Sequence, residues 1–100
     1  MLEQEIITLL AVLSFRESVD DAVLEALAAL VAAVRQEPGC LAYAAHVHAE
    51  DPKRVLFYER WQDKDALEVH SAAAALATFR EDMGPRIAGP SELNFWKRLE

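Results

Sequence analysis

Cysteine and basic residues are scarce in this chain of 100 residues, and long apolar runs are absent. The lone cysteine, Cys40, excludes an internal disulfide and fits a reducing compartment, so we expect a cytoplasmic protein. Ten Lys and Arg against 17 Asp and Glu give a formal net charge of −7. This balance argues against nucleic acid or a membrane surface as a partner. No apolar segment approaches the roughly 20 residues of a membrane span, and the first residues do not resemble a signal peptide.

Glycine is scarce as well: the chain has three, and each stands beside a proline. The sequence therefore offers no glycine-rich loop of the kind that cradles a phosphate. No serine lies in the context of a nucleophile elbow. Candidate catalytic groups are therefore sought among the other polar side chains.

Apolar residues are abundant, at 53% of the chain. This share is typical of a globular protein, and we expect residues 1–100 to form a single domain. It is also high for so short a chain, which indicates that a partner subunit covers part of the surface.

The hydrophobic periodicity predicts six elements in a βαββαβ order. They are a strand at 6–15, a helix at 19–35, strands at 40–49 and 54–61, a second helix at 64–83 and a final strand at 92–99. This order is typical of the ferredoxin-like α+β fold, in which an antiparallel sheet carries two helices on one face.

Both faces of the predicted strands are apolar, although two helices can cover only one of them. In the first strand, one set of apolar residues alternates with another: Ile6, Leu10 and Val12 with Ile7, Leu9, Leu13 and Phe15. An uncovered apolar sheet face needs a cover, and the same face of a second copy supplies one. We therefore predict a homodimer that packs sheet against sheet.

The hairpin at 40–61 carries most of the candidate site residues. A four-residue turn at 50–53 would pair His46 with Phe57, and opposed residues share a face. On this register His46, His48, Phe57, Glu59 and Trp61 lie on one face of the sheet, and Tyr43 lies on the other, at the subunit interface.

Four short motifs lie between residues 37 and 70. They read Glu37-Pro38-Gly39-Cys40-Leu41-x-Tyr43, Asp51-Pro52, Phe57-Tyr58-Glu59-x-Trp61 and Asp65-Ala66-Leu67-x-x-His70. Together they resemble the motifs of the antibiotic biosynthesis monooxygenase family of dimeric α+β barrels. The resemblance implies a homodimer with a substrate cavity between sheet and helices. It also implies oxidation of a quinol or polyketide-type phenol by dioxygen, without metal, flavin or haem. Other branches of the superfamily degrade haem or isomerise a phosphorylated sugar.

The sequence departs from the family pattern at Thr78, where members often carry a second histidine before the residue matching Phe79. A mechanism that needs two such histidines is therefore not expected. The haem-degrading branch uses an asparagine on its first strand, and residues 6–15 contain none. The resemblance thus favours the oxygenases over haem degradation.

His70 is the predicted proton acceptor because it lies at the edge of the apolar helix face. Glu59 interrupts an apolar strand, and an inward carboxylate serves either as a base and orienter or as a structural ion-pair partner. Phe57, Trp61 and His46 are predicted to contact a small aromatic substrate. No cofactor and no metal are expected, because the pair His46-x-His48 lacks a visible third ligand.

Two alternatives stay open. The same histidine and carboxylate suit a small carbonyl or sugar-phosphate isomerase, for which Arg80 or Arg86 would supply an anion contact. The chain also fits a small-ligand-binding module without turnover. Fold analogy alone does not decide among these functions.

Overall fold

The computed structural model describes residues 5–99, and their elements follow the predicted order. The elements are β1 (Ile7–Ser14), α1 (Asp21–Val34), β2 (Cys40–Val47), β3 (Arg54–Trp61), α2 (Lys64–Ser71), α3 (Ala74–Met83), a 3-10 turn (Gly84–Arg86) and β4 (Glu92–Trp96). The sheet order is β2-β3-β1-β4, and all neighbouring strands are antiparallel. The ferredoxin-like α+β fold is confirmed. Within residues 5–99, no helix combines the length and hydrophobicity that crossing a bilayer requires.

Helix α1 begins where Asp20 caps it, since a side-chain oxygen of Asp20 accepts a hydrogen bond from the Val23 N–H at 3.0 Å. One face of the helix is buried, formed by Val23, Leu27, Leu30 and Val34 at three- and four-residue spacing. At its C-terminal end the Arg35 Nε donates to the Tyr43 carbonyl at 2.9 Å. This bond ties the end of α1 to β2.

The second predicted helix, 64–83, is two helices separated at Ala72 and Ala73. Ala73 has extended backbone, with φ −77° and ψ 157°. His70 and Phe79 are both buried, yet they are nine residues apart, which places them on opposite sides of a straight helix at about 3.6 residues per turn. The break changes the phase of the chain so that both side chains face the sheet. The helical layer therefore has three helices.

The two faces of the sheet differ in cover. Leu9, Ala11 and Leu13 of β1 are buried under the helices, and Ala11 and Leu13 belong to the main core cluster. Leu10 and Val12, which alternate with them, stay partly exposed on the other face. We call this second face the open face of the sheet.

The predicted register of the hairpin is wrong by one residue. The structure pairs Tyr43 with Glu59, Ala45 with Phe57 and His46 with Leu56, and β2 has a bulge between Cys40 and Ala42. A side-chain hydrogen bond shapes the turn: the Nδ1 of His48 accepts from the N–H groups of Glu50 and Asp51, both at 3.0 Å. Because side chains alternate along a strand, this shift of one residue places each β2 side chain on the face opposite to the predicted one.

Candidate active site under the helices

A cavity of about 460 Å³ lies between the sheet and the helices. Its walls are mainly apolar, and its polar members are Tyr43, Glu59, His70, Ser71, Arg80 and Ser91. The volume falls within the roughly 300–1,000 Å³ of small-molecule sites. An apolar cavity with a few convergent polar groups is the usual form of such a site.

His70 is held between two carboxylates in the wall of this cavity. Its side chain is 4% exposed, and its Nδ1 lies 2.8 Å from a side-chain oxygen of Glu37. Its Nε2 lies 3.9 Å from Oε1 of Glu59. An ionised carboxylate only accepts hydrogen bonds, so Nδ1 carries a hydrogen and Nε2 is the nitrogen left for proton exchange.

Glu59 also accepts a hydrogen bond from Nε1 of Trp61, at 3.0 Å to the same Oε1. Burial raises the pKa of the Glu59 carboxyl, and nearby Glu37 raises it further. The hydrogen bond from Trp61 and the neighbouring His70 oppose this rise in pKa. Glu59 therefore holds a proton more readily than an exposed glutamate does.

Aromatic rings fix the orientation of the His70 imidazole. Trp61 stacks on it with ring centroids 4.6 Å apart and planes inclined by 29°. Tyr43 meets it edge-on with centroids 5.5 Å apart. Since both rings and both carboxylates surround the imidazole, His70 is confined to one orientation.

The tight turn before β2 brings Glu37 to His70. Gly39 has φ +79°, a conformation that favours glycine, and a Cβ there would lie 2.5 Å from the Cβ of Ala66 on α2. The carbonyl of Gly39 accepts a hydrogen bond from the Gln62 N–H at 2.8 Å. The turn therefore packs closely against the start of the helix that carries His70.

The sequence model of the antibiotic biosynthesis monooxygenase family matches residues 6–82. This chain belongs to that family. An uncharacterized protein of Synechocystis, sll1783, is 30% identical over 66 residues, which are 66% of this chain and 45% of that protein. The match thus spans less than half the length of the Synechocystis protein.

Two solved structures show how closely the fold agrees. PA3566 of Pseudomonas aeruginosa is 28% identical, with a TM-score of 0.86 over 97% of each chain. A Nitrosomonas europaea protein, described provisionally as an antibiotic biosynthesis monooxygenase, has a TM-score of 0.88. It covers 99% of this chain and 96% of its own, and at 21% identity it shows the fold alone.

Of the predicted site residues, His70, Glu59 and Phe57 line the cavity of this family member. Trp61 is fully buried and supports His70 and Glu59 from behind, outside the cavity lining. His46 was placed wrongly: the corrected register puts it on the open face, exposed and on the opposite side of the sheet from Glu59.

The prediction that Tyr43 lies at the subunit interface was wrong, and sequence reasoning did not single out Glu37. Tyr43 is buried on the helix face and lines the cavity, and burial raises the pKa of its hydroxyl well above the usual value. Its placement follows from the register between β2 and β3, which differs by one residue from the register that a four-residue turn at 50–53 predicts. Glu37 opens the first family motif, so a signal was present, but its partner His70 lies 33 residues away.

The structure offers no obvious metal site among residues 5–99, where no three His, Cys, Asp or Glu side chains converge as ligands. His48 stabilises the hairpin turn, since its ring accepts two backbone hydrogen bonds there. Arg86 pairs with Asp20 at 3.0 Å, away from the cavity lining. Arg80, in contrast, lines the cavity.

Proposed function

We propose that this protein is a cofactor-independent monooxygenase that oxidises a small quinol or polyketide-type phenol. The observation that carries the proposal is a buried histidine, held between two carboxylates, in the wall of an apolar cavity. Membership of the antibiotic biosynthesis monooxygenase family supports the same reaction class.

His70 accepts the phenolic proton at Nε2 in this proposal. Glu37 holds the hydrogen on Nδ1 and stabilises the positive charge that forms on the ring. Glu59, whose carboxyl has a raised pKa, lies close enough to Nε2 to take part in the transfer. The substrate becomes a phenolate, and this form can reduce dioxygen.

The reaction balances without an external reductant. The phenolate gives one electron to dioxygen, and the radical pair combines to form a carbon–oxygen bond. The resulting peroxide takes a proton from the His70 imidazolium. The neutral His70 then takes the C–H proton, and a C=O bond forms as the O–O bond breaks. The departing hydroxide receives that proton and leaves as water, so that phenol and dioxygen become quinone and water. The substrate supplies all four electrons.

The mainly apolar walls of the cavity provide the orientation of an aromatic substrate that such a reaction needs. Phe57, which is buried in the sheet wall, offers a flat surface to an aromatic ring. The Tyr43 hydroxyl is kept protonated by its raised pKa, so it can donate a hydrogen bond to an oxyanion. Trp61 acts through His70, by stacking on it.

A homodimer formed through the open face completes the proposal, with the cytoplasm as the predicted compartment. Leu10, Val12, Leu56 and Tyr58 lie partly exposed on this face. Trp96 of β4 belongs to the same face and is 56% exposed. This much apolar surface on one side of a sheet is typical of a protein–protein interface.

Oxygen consumption tests the proposal. Protein treated with a chelator is given a panel of quinols and hydroxynaphthalenes, and uptake is measured with an oxygen electrode. We expect uptake by the wild type and a loss of about 100-fold or more in His70→Asn, because general acid–base catalysis contributes about 10²–10⁴-fold. His48→Asn, which changes an exposed histidine outside the cavity, should retain activity. Equal rates in wild type and His70→Asn would contradict the proposal.

An isomerase is the second candidate, and the position of Arg80 in the cavity lining favours it because a guanidinium can bind a phosphate. Such an enzyme would exchange a substrate C–H for deuterium in heavy water without oxygen. Oxygen-dependent product formation, with no exchange in its absence, separates the two. Binding of substrate with neither outcome would indicate a ligand-binding module.

A further inference from the structure

Arg80 is the only Lys or Arg among residues 5–99 that lines the cavity. It lies in the last turn of α3, next to the buried Phe79, and its own side chain is exposed. The cavity therefore has a buried proton acceptor in its wall and a permanent positive charge where it reaches solvent. Neither the family resemblance nor the proposed proton transfer requires this charge.

Within residues 5–99, no carboxylate forms an ion pair with Arg80. The helical neighbours that could reach it, three and four residues away, are Leu76, Ala77, Met83 and Gly84. A chain with 17 acidic residues has ample means to neutralise a cation, and it does so for Arg86 through Asp20. The guanidinium of Arg80 is thus left available to a ligand.

The charge of Arg80 acts inside the cavity. Burial and the nearby Glu59 and Glu37 carboxylates raise the pKa of the Tyr43 hydroxyl, and Arg80, which lines the same cavity, opposes this rise. Tyr43 in turn contacts the His70 imidazole edge-on. His70 and Arg80 line the same cavity of about 460 Å³, so one molecule there can contact both.

We propose that the substrate of the site is an aromatic hydroxy acid, whose hydroxyl faces His70 and whose carboxylate binds Arg80. This inference rests on the proposed function of the same cavity. A planar guanidinium matches a carboxylate through two parallel hydrogen bonds. A neutral phenol would leave that interaction unused, so an acidic substituent distant from the hydroxyl selects among phenols.

Binding of two probes of equal shape tests the inference without turnover. The probes are 6-hydroxy-2-naphthoate and its methyl ester, which differ in charge, and their Kd values are measured by isothermal titration calorimetry. We expect the wild type to bind the acid about tenfold more tightly than the ester, the effect of a partly exposed charge-assisted pair. Arg80→Gln should lose this preference and bind the ester as before.

Arg16→Gln is the matched control, since it removes the same charge from an exposed residue that does not line the cavity. It should keep the wild-type preference. The inference is overturned if the wild type binds neither probe, binds both equally, or keeps its preference in Arg80→Gln. Loss of the preference in Arg80→Gln without oxygen uptake by any phenol would uphold the carboxylate site and refute the oxygenase. Oxygen uptake with a phenol, without a preference for the acid over the ester, would uphold the oxygenase and refute the carboxylate site.

Discussion

At the scale of single residues, Glu37 decides which nitrogen of His70 carries the hydrogen. Replacing it with alanine leaves a buried N–H without its acceptor, which costs about 1–3 kcal/mol in the free energy of unfolding. We expect Glu37→Ala to lose this much stability in urea titrations. Nitrogen-15 NMR of the imidazole should show a shift away from the tautomer protonated at Nδ1. Gln36→Ala changes an exposed neighbour and should alter neither.

The buried carboxyl of Glu59 makes stability depend on pH. Its pKa lies above the ordinary value of 4.5, so the folded chain keeps this proton at pH values where the unfolded chain has lost it. Protonated Glu59 therefore contributes stability that is complete below about pH 4.5 and is lost as the pH rises through the raised pKa.

Glu59→Gln removes this titration while keeping an oxygen to accept the Trp61 N–H. We expect the stability of the wild type relative to Glu59→Gln to fall as the pH rises above about 4.5, as measured by urea unfolding at several pH values. A difference that stays constant over this range would show that the Glu59 carboxyl is not perturbed by burial.

The position of His70 and Glu59 in the buried cavity wall was predictable at this scale, because each is a polar residue in an apolar pattern. The role of Glu37 was not, since its position in a turn gives no sign of burial. His46 was misplaced because the hairpin loop is one residue longer than the predicted 50–53: the His48 N–H donates to the Arg54 carbonyl, and this one-residue slip reverses the face of His46.

At the scale of elements, the Pro38-Gly39 turn sets the distance between β2 and α2. Gly39→Ala would force a side chain into the left-handed region and against Ala66. We expect a loss of roughly 2 kcal/mol or more, since that backbone region costs about 1–2 kcal/mol for a non-glycine residue before any clash. The measurement is the free energy of unfolding in urea.

Gly84→Ala is the matched substitution for that prediction. Gly84 has helical backbone, with φ −48° and ψ −45°, and open space where a Cβ would stand. Its stability should fall by less than that of Gly39→Ala, because only the ring of the following Pro85 crowds a Cβ at Gly84. Equal losses at Gly39 and Gly84 would mean that the turn before β2 is not tightly packed.

Element boundaries followed from sequence to within a few residues, because periodicity and capping residues are local signals. The break between α2 and α3 did not, since no glycine or proline lies between Lys64 and Met83. It arises because His70 and Phe79 must both reach the sheet. That requirement belongs to the tertiary packing and is not encoded at the break itself.

At the scale of the whole molecule, the open face of the sheet predicts a dimer. Sedimentation at micromolar concentration should give twice the mass of one chain. Leu56→Glu places a charge on that face and should shift the equilibrium to monomer. Val69→Glu, on the exposed side of α2, should leave the dimer intact. A monomeric wild type would refute sheet-to-sheet assembly.

The central claim is that the cavity beside His70 inserts one atom of dioxygen into a phenol. Mass spectrometry after turnover of an active quinol or hydroxynaphthalene under ¹⁸O₂, with chelator-treated protein, tests it most directly. The account predicts one ¹⁸O in the quinone product and the other in water, with labelling lost in His70→Asn and retained in His48→Asn. A product without ¹⁸O, or with labelling unchanged in His70→Asn, would contradict the account.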